Sequence, residues 1–175
     1  MLTPKQEDWL EHLSTEKKVC IIPFDPTAEK KFQKIKSLIQ GSLGADVAVE
    51  HRGSTSLGIS GQDEIDVYIP VLAEEFSKLQ PKLEELFGEP RSAYPSRIRF
   101  HTEIDSKKID LFLIDKKHED WLNGIAFEKA CRDSPEILEK YRILKEEMNG
   151  RNVQEFYRQK NEFINTVLEL TGTSI

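Results

Sequence analysis

Apolar positions in this chain change period twice. Near the N-terminus, Thr3-Pro4 reads as a cap with proline at the first helical position, opening a short helix through Trp9, Leu10 and Leu13. Val19-Cys20-Ile21-Ile22 is an apolar strand or extended segment stopped by Pro23. Asp25-Pro26 opens a second helix, with Phe32, Ile35, Leu38 and Ile39 at helical spacing, ended by Gly41 to Gly44. Beyond it the period drops to two. Val47 to His51 predicts a strand, and Gly53-Ser54-Thr55-Ser56 a turn. Ile65, Val67, Ile69 and Val71 then alternate with Glu64, Asp66 and Tyr68. A helix from about Leu72 to Phe87 stops at Gly88-Glu89-Pro90. Two more alternating runs follow, Arg97 to His101 and Lys108 to Leu113, joined by a hairpin loop around Asp105-Ser106-Lys107. From Glu119 the pattern is helical throughout, with caps at Ser134-Pro135 and Asn152.

These elements predict an α+β chain: a small mixed sheet with flanking helices over residues 1–116, and a helical C-terminal subdomain, 117–175, packed on that core. A chain of 175 residues buries roughly 70% of its unfolded surface and needs no disulfide or metal staple to fold.

The alternation also sorts chemistry onto one face. Side chains alternate strictly along a strand, so the apolar sets share the core face. The other face presents Glu64, Asp66 and Tyr68, then Arg97, Arg99 and His101, then Lys108 and Asp110. Glu64 and Asp66 project the same way, roughly 7 Å apart. If the strand of Asp110 pairs with that of Asp66, three carboxylates converge. Carboxylates are depleted in strands and neighbouring like charges repel, so a divalent cation is the natural neutraliser. Hard oxygen donors suit Mg²⁺ or Mn²⁺, ions that also bind substrate phosphates. The solvated face of a one-sided sheet shows the same alternation, so the pattern alone leaves both readings open.

The turn Gly53-Ser54-Thr55 precedes the acidic strand. Its backbone N–H groups and hydroxyls can hold a phosphate, although Gly-Ser-Thr is also a common turn. Residues 55–63 bring the chain back beside Ser54, so phosphate end and metal end become neighbours, as phosphoryl or nucleotidyl transfer requires.

Composition removes several alternatives. Lys+Arg total 25 against 31 Asp+Glu, a net charge of −6, which argues against non-specific binding to a phosphate backbone. Cys20 and Cys131 are too few for a disulfide framework, and His12, His51, His101 and His118 show no zinc-ligand spacing. The first residues carry no apolar signal core, and the longest apolar run, Val67 to Ala73, is far too short to span a bilayer. The expected address is a reducing cytoplasm, with no membrane partner.

The ordered motifs resemble the nucleotidyltransferase superfamily: Gly53-Ser54, then Glu64-Ile65-Asp66-Val67, then Ile109-Asp110-Leu111. Within it the chain is most similar to the GrpB-like proteins. Ile22-Pro23-Phe24-Asp25-Pro26 resembles their tyrosine-Asp-Pro segment and Glu50-His51-Arg52-Gly53-Ser54-Thr55-Ser56 their His-x-Gly-Ser-Thr motif. Trp121-Leu122, Phe127, Arg132-Asp133, Pro135, Tyr141, Leu144-Lys145 and Tyr157-x-x-Lys160-x-x-Phe163-Ile164 resemble their helical end. The chain departs from the pattern at Arg52, where an apolar residue is usual, at Leu57-Gly58 in place of Pro-Gly, and at Gln62 in place of lysine. Glu64 supplies a first carboxylate that many relatives lack.

The resemblance implies a nucleotidyltransferase-like fold and a metal-dependent transfer of a nucleotidyl group from a nucleoside triphosphate to an acceptor the sequence does not identify. Glu64, Asp66 and Asp110 would hold the metal and carry catalysis; Gly53, Ser54 and Thr55 would hold phosphates. His51 is a further phosphate candidate, and Arg97 and Arg99 are candidates to contact a phosphate or the acceptor, each with a structural alternative: a packed histidine, and ion pairs with Asp66 or Asp110. Lys160 stands inside an apolar helical stripe, either reaching the triphosphate or snorkelling to the surface. The competing function is a non-catalytic nucleotide-binding accessory module linked to coenzyme A metabolism.

Overall fold

The computed structural model describes residues 1–172. It is α+β, as the periodicities predict: seven α-helices and a five-stranded mixed sheet among the described residues. The helices are α1 (Pro4–Glu11), α2 (Ala28–Leu43), α3 (Gly53–Ser56), α4 (Phe76–Phe87), α5 (Glu119–Asp133), α6 (Pro135–Glu147) and α7 (Val153–Leu170). The strands are β1 (Glu50–Arg52), β2 (Glu64–Val71), β3 (Ser92–Tyr94), β4 (Arg97–Ile104) and β5 (Lys107–Asp115).

Two compact units divide the chain. The sheet unit comprises Phe24–Gly58 and Asp63–Leu122; the helical unit comprises Met1–Pro23, Ile59–Gln62 and Asn123–Ile175. The division falls inside α5, and α1 groups with the C-terminal helices.

In the sheet unit the strand order is β1-β2-β5-β4-β3. β2 and β5 are parallel, and the other neighbours are antiparallel. Ile65, Val67 and Ile69 of β2 and Ile109 and Leu113 of β5 are completely buried, and with Phe32, Ile35 and Ile39 of α2 and Leu79 and Leu83 of α4 they form the core. The hairpin between β4 and β5 turns on Asp105 and Ser106, both with positive φ (50° and 57°), as the right-handed strand twist demands of a two-residue connection.

In the helical unit, Thr3 and Gln6 form a reciprocal capping box on α1, and Ser134 and Asn152 cap α6 and α7 through their side chains. Val19, Ile21 and Phe156 are buried together there. Val19 to Ile22 is not a strand: only isolated bridges, Lys18 with Asn152 and Ile22 with Gly61, involve this segment. Its hydrogen bonds are scattered rather than laddered: Val19 N–H donates to Arg151 C=O, Ile21 N–H to the Asn149 side chain, and Ile22 exchanges both backbone bonds with Gly61.

Two further differences separate expectation and structure. The strand expected over 47–51 is β1 at Glu50–Arg52, because only these residues pair with β2. The helix expected from Leu72 begins as a 3₁₀ turn at Ala73–Glu75, with Glu75 accepting a hydrogen bond from Leu72 N–H.

Candidate active site

The pairing registers arrange the face opposite the core into rows. Asp66 stands directly beside Asp110 across the parallel β2–β5 pair. Arg52 of β1 is the antiparallel partner of Asp66, and His101 of β4 is the partner of Asp110. One row of the sheet therefore reads Arg52, Asp66, Asp110, His101. The next reads Glu50, Tyr68, Phe112, Arg99, Ser92.

Glu64, two residues before Asp66, completes the acidic cluster. Carboxylate oxygens of Glu64, Asp66 and Asp110 lie within 4.8 Å of one another, with Asp110 buried and the other two half-buried. Three carboxylates at this spacing are an all-oxygen donor set, and half-burial leaves an approach open. That chemistry fits a hard divalent cation such as Mg²⁺ or Mn²⁺.

Gly53 explains why the turn must begin with glycine. Its φ is +73°, and a Cβ there would overlap Asp66 Oδ2 and come within 3.0 Å of its Cγ. The turn backbone is thus pressed against the central carboxylate. Gly53 to Ser56 form the single-turn helix α3, in which the Ser56 hydroxyl donates to Gly53 C=O.

Asp110 is 2% exposed and strongly engaged. The Arg99 guanidinium grips both its oxygens: Nε donates to Oδ1 at 3.3 Å, and Nη2 donates to Oδ2. His101 Nδ1 lies 2.8 Å from Oδ1. Such a forked contact fixes the orientation of the carboxyl. Arg99 is therefore an ion-pair partner of Asp110 on the acidic row.

His51 and Thr55 are brought together, with a third residue that periodicity does not point to. His51 Nδ1 lies 2.9 Å from Glu29 Oε2 of α2, and its Nε2 lies 2.9 Å from Thr55 Oγ1. The ring stacks on Phe32 with centroids 4.7 Å apart. Hydrogen bonds from Gln33, then His51, hold the Glu29 carboxyl below its ordinary value. The turn is thus tied to α2 through a packed histidine.

A second cluster gathers where β2 and β5 begin. Lys107, 4% exposed at the start of β5, pairs with Asp63, the residue before Glu64, and with Asp25 at 3.3 Å. Asp25 also accepts hydrogen bonds from the Thr27 hydroxyl (2.6 Å) and Thr27 N–H (2.8 Å), which with Lys31 and Lys107 hold its carboxyl far below the usual range. Asp63 has φ +64°. This clamp, with Lys107 buried and the two aspartates half-buried, ties the entry into β2 to the start of β5.

Aromatic and cationic groups continue the face. Tyr68 stacks on Phe112 at 4.6 Å, and the Arg97 and Arg99 guanidinium groups lie 5.8 and 5.6 Å from the Phe112 ring. The Arg52 guanidinium sits 5.0 Å from the Trp121 ring. Lys160 belongs to α7 in the helical unit, its ammonium 5.4 Å from the Tyr157 ring, and is not among the residues the sheet gathers. A groove of about 390 Å³ lined by Leu43, Val47, Pro70, Val71 and Lys116 lies at the far end of β2 from Glu64.

No helix among the described residues is long and apolar enough to cross a membrane. No curated protein matches the sequence. Among solved structures, the ternary P/T complex of Leishmania infantum polymerase beta is similar at 12% identity, covering 92% of this chain and 75% of that one, with a TM-score of 0.43. The ternary gap complex of the same polymerase is similar at 14% identity, covering 98% and 76%, with a TM-score of 0.41. The family model described as GrpB protein matches residues 18–170, the whole stretch over which the motifs run, and the chain belongs to the GrpB family.

Proposed function

We infer that the protein is a metal-dependent nucleotidyltransferase. The observation that carries this reading is the convergence of Glu64, Asp66 and Asp110 within 4.8 Å, with the Gly53 turn pressed against Asp66. Glu64, Asp66 and Asp110 hold Mg²⁺ or Mn²⁺, which when bound offsets charge on the transferring phosphorus. Gly53 and Ser54 hold the outer phosphates of a nucleoside triphosphate, and Thr55, tied to His51, keeps the turn in place. The acceptor oxygen bonds to the α-phosphorus as the bond from that phosphorus to the α,β-bridging oxygen breaks. Pyrophosphate leaves, and Asp110 takes the hydroxyl proton.

Calorimetric titration of Mn²⁺ and a nucleoside triphosphate into wild type and Glu64→Gln/Asp66→Asn tests this. The expected result is binding to wild type that falls at least tenfold in the variant; equal affinity in both overturns the metal assignment. Transfer of labelled nucleotide to cell-extract acceptors then tests turnover.

One observation favours a second reading, a nucleotide-binding module without catalysis: Asp110 is already held by Arg99 and His101. Under it, Asp110→Asn leaves nucleotide affinity unchanged and no acceptor is ever labelled.

A further inference from the structure

Arg97 stands out on the acidic face. Arg99, two residues on, has its charge met by Asp110. Arg97 makes no ion pair among the described residues; its guanidinium rests only near the Phe112 ring, 5.8 Å from the centroid. Both guanidinium groups thus gather round one aromatic ring, and of the two only Arg99 pairs with a carboxylate, Asp110. Arg97 is half-buried, and its β3 partner is Tyr94, 59% exposed, so this end of the face is open to solvent. Desolvated on one side by the ring, a guanidinium binds an oxyanion through two parallel N–H donors.

Its position along the sheet says which ligand such an anion belongs to. In-line displacement at phosphorus puts attacking and leaving oxygens on opposite sides. With the outer phosphates at Gly53 and Ser54, beside β1 and β2, attack comes from across β5, where β4 lies. Arg97 sits one β4 repeat beyond Arg99, and Arg99 one beyond His101, each repeat roughly 7 Å.

We propose that Arg97, beside Phe112, is the oxyanion-binding half of an acceptor subsite, so that the acceptor is a small hydroxyl compound carrying a phosphate or carboxylate group. The proposal rests on the nucleotidyl-transfer reading and deepens it. Arg97 determines specificity and does not touch the reacting atoms.

The test titrates the full chain, saturated with Mn²⁺ and α,β-methylene-ATP, with three probes: glycerol 3-phosphate, glycolate and uncharged glycerol. Saturation by the analogue is itself the check on the parent reading: failure of the analogue to bind overturns both. With the analogue bound, wild type is expected to bind both anions at least tenfold more tightly than glycerol. Arg97→Gln should remove that preference, Arg97→Lys should retain part of it, and both variants should keep analogue affinity within twofold and the melting temperature of wild type. Anion affinity unchanged in Arg97→Gln, or glycerol binding as well as the anions, overturns the subsite alone. So does a short oligonucleotide that binds more tightly than either anion without any dependence on Arg97.

Discussion

Asp66 and Asp110 lie directly opposite each other in the parallel β2–β5 pair, two carboxylates on adjacent strands of one face. Uncompensated, that juxtaposition is repulsive. The chain offsets part of it with Arg99 and His101 on Asp110.

Metal should therefore stabilise the fold. At Mn²⁺ about 100-fold above its dissociation constant, linkage adds about 2.7 kcal/mol, a rise of about 5–10 °C in Tm for a chain of this size. Glu64→Gln/Asp66→Asn should gain nothing from Mn²⁺. Differential scanning fluorimetry with and without Mn²⁺ measures both effects; a shift of equal size in the variant contradicts the donor set.

Gly53→Ala combines a strained φ of +73° with an overlap against Asp66. The cost should be about 1–3 kcal/mol by urea unfolding, and the displaced Asp66 should also weaken the metal-dependent rise in Tm. Gly124, which meets nothing within 4 Å at its Cβ position, is the control, where alanine should be tolerated.

Asp25 gives a pH dependence of known sign. Its carboxyl is depressed below the ordinary 3.8, chiefly by the Thr27 hydroxyl and N–H, with Lys31 and Lys107 adding to it. A depressed carboxylate contributes stability that is fully present above its unfolded value and is lost as pH falls toward the folded one. The Tm gap between wild type and Asp25→Asn should hold from pH 7 to about pH 5 and shrink below pH 4. A gap that widens on acidification would contradict the assignment.

The two cysteines should react very differently. Burial pushes the Cys131 thiol up to about 11, with Glu128 adding to the effect, whereas Cys20 is exposed. At pH 8 an aromatic disulfide reagent should modify Cys20 alone in the native protein and both thiols in guanidinium. Native labelling of Cys131 at a comparable rate would show that its helix opens readily.

Much of this geometry is legible in the sequence because a strand has period two. Glu64, Asp66 and Asp110 announce their shared face by alternation, and the positive-φ turn at Asp105-Ser106 sets the register that delivers His101 to Asp110. What alternation does not reveal is contact across long separations. Glu29 meets His51 only because α2 packs on β1, and Lys107 is buried only because Asp25 and Asp63 arrive from two separate loops. β3, at Ser92–Tyr94, has no apolar rhythm and owes its existence to pairing with β4. Lys160 has a legible stripe, but a helical stripe says which side is apolar and not what the lysine head reaches.

The sheet's outermost strands, β1 and β3, are each three residues long. An incoming extended segment would find too few unpaired backbone groups on either side to add itself as a sixth strand. Self-templated aggregation through these two short strands is thereby discouraged, while β2 and β5, which carry the acidic residues, stay paired with each other from Glu64 to Val71.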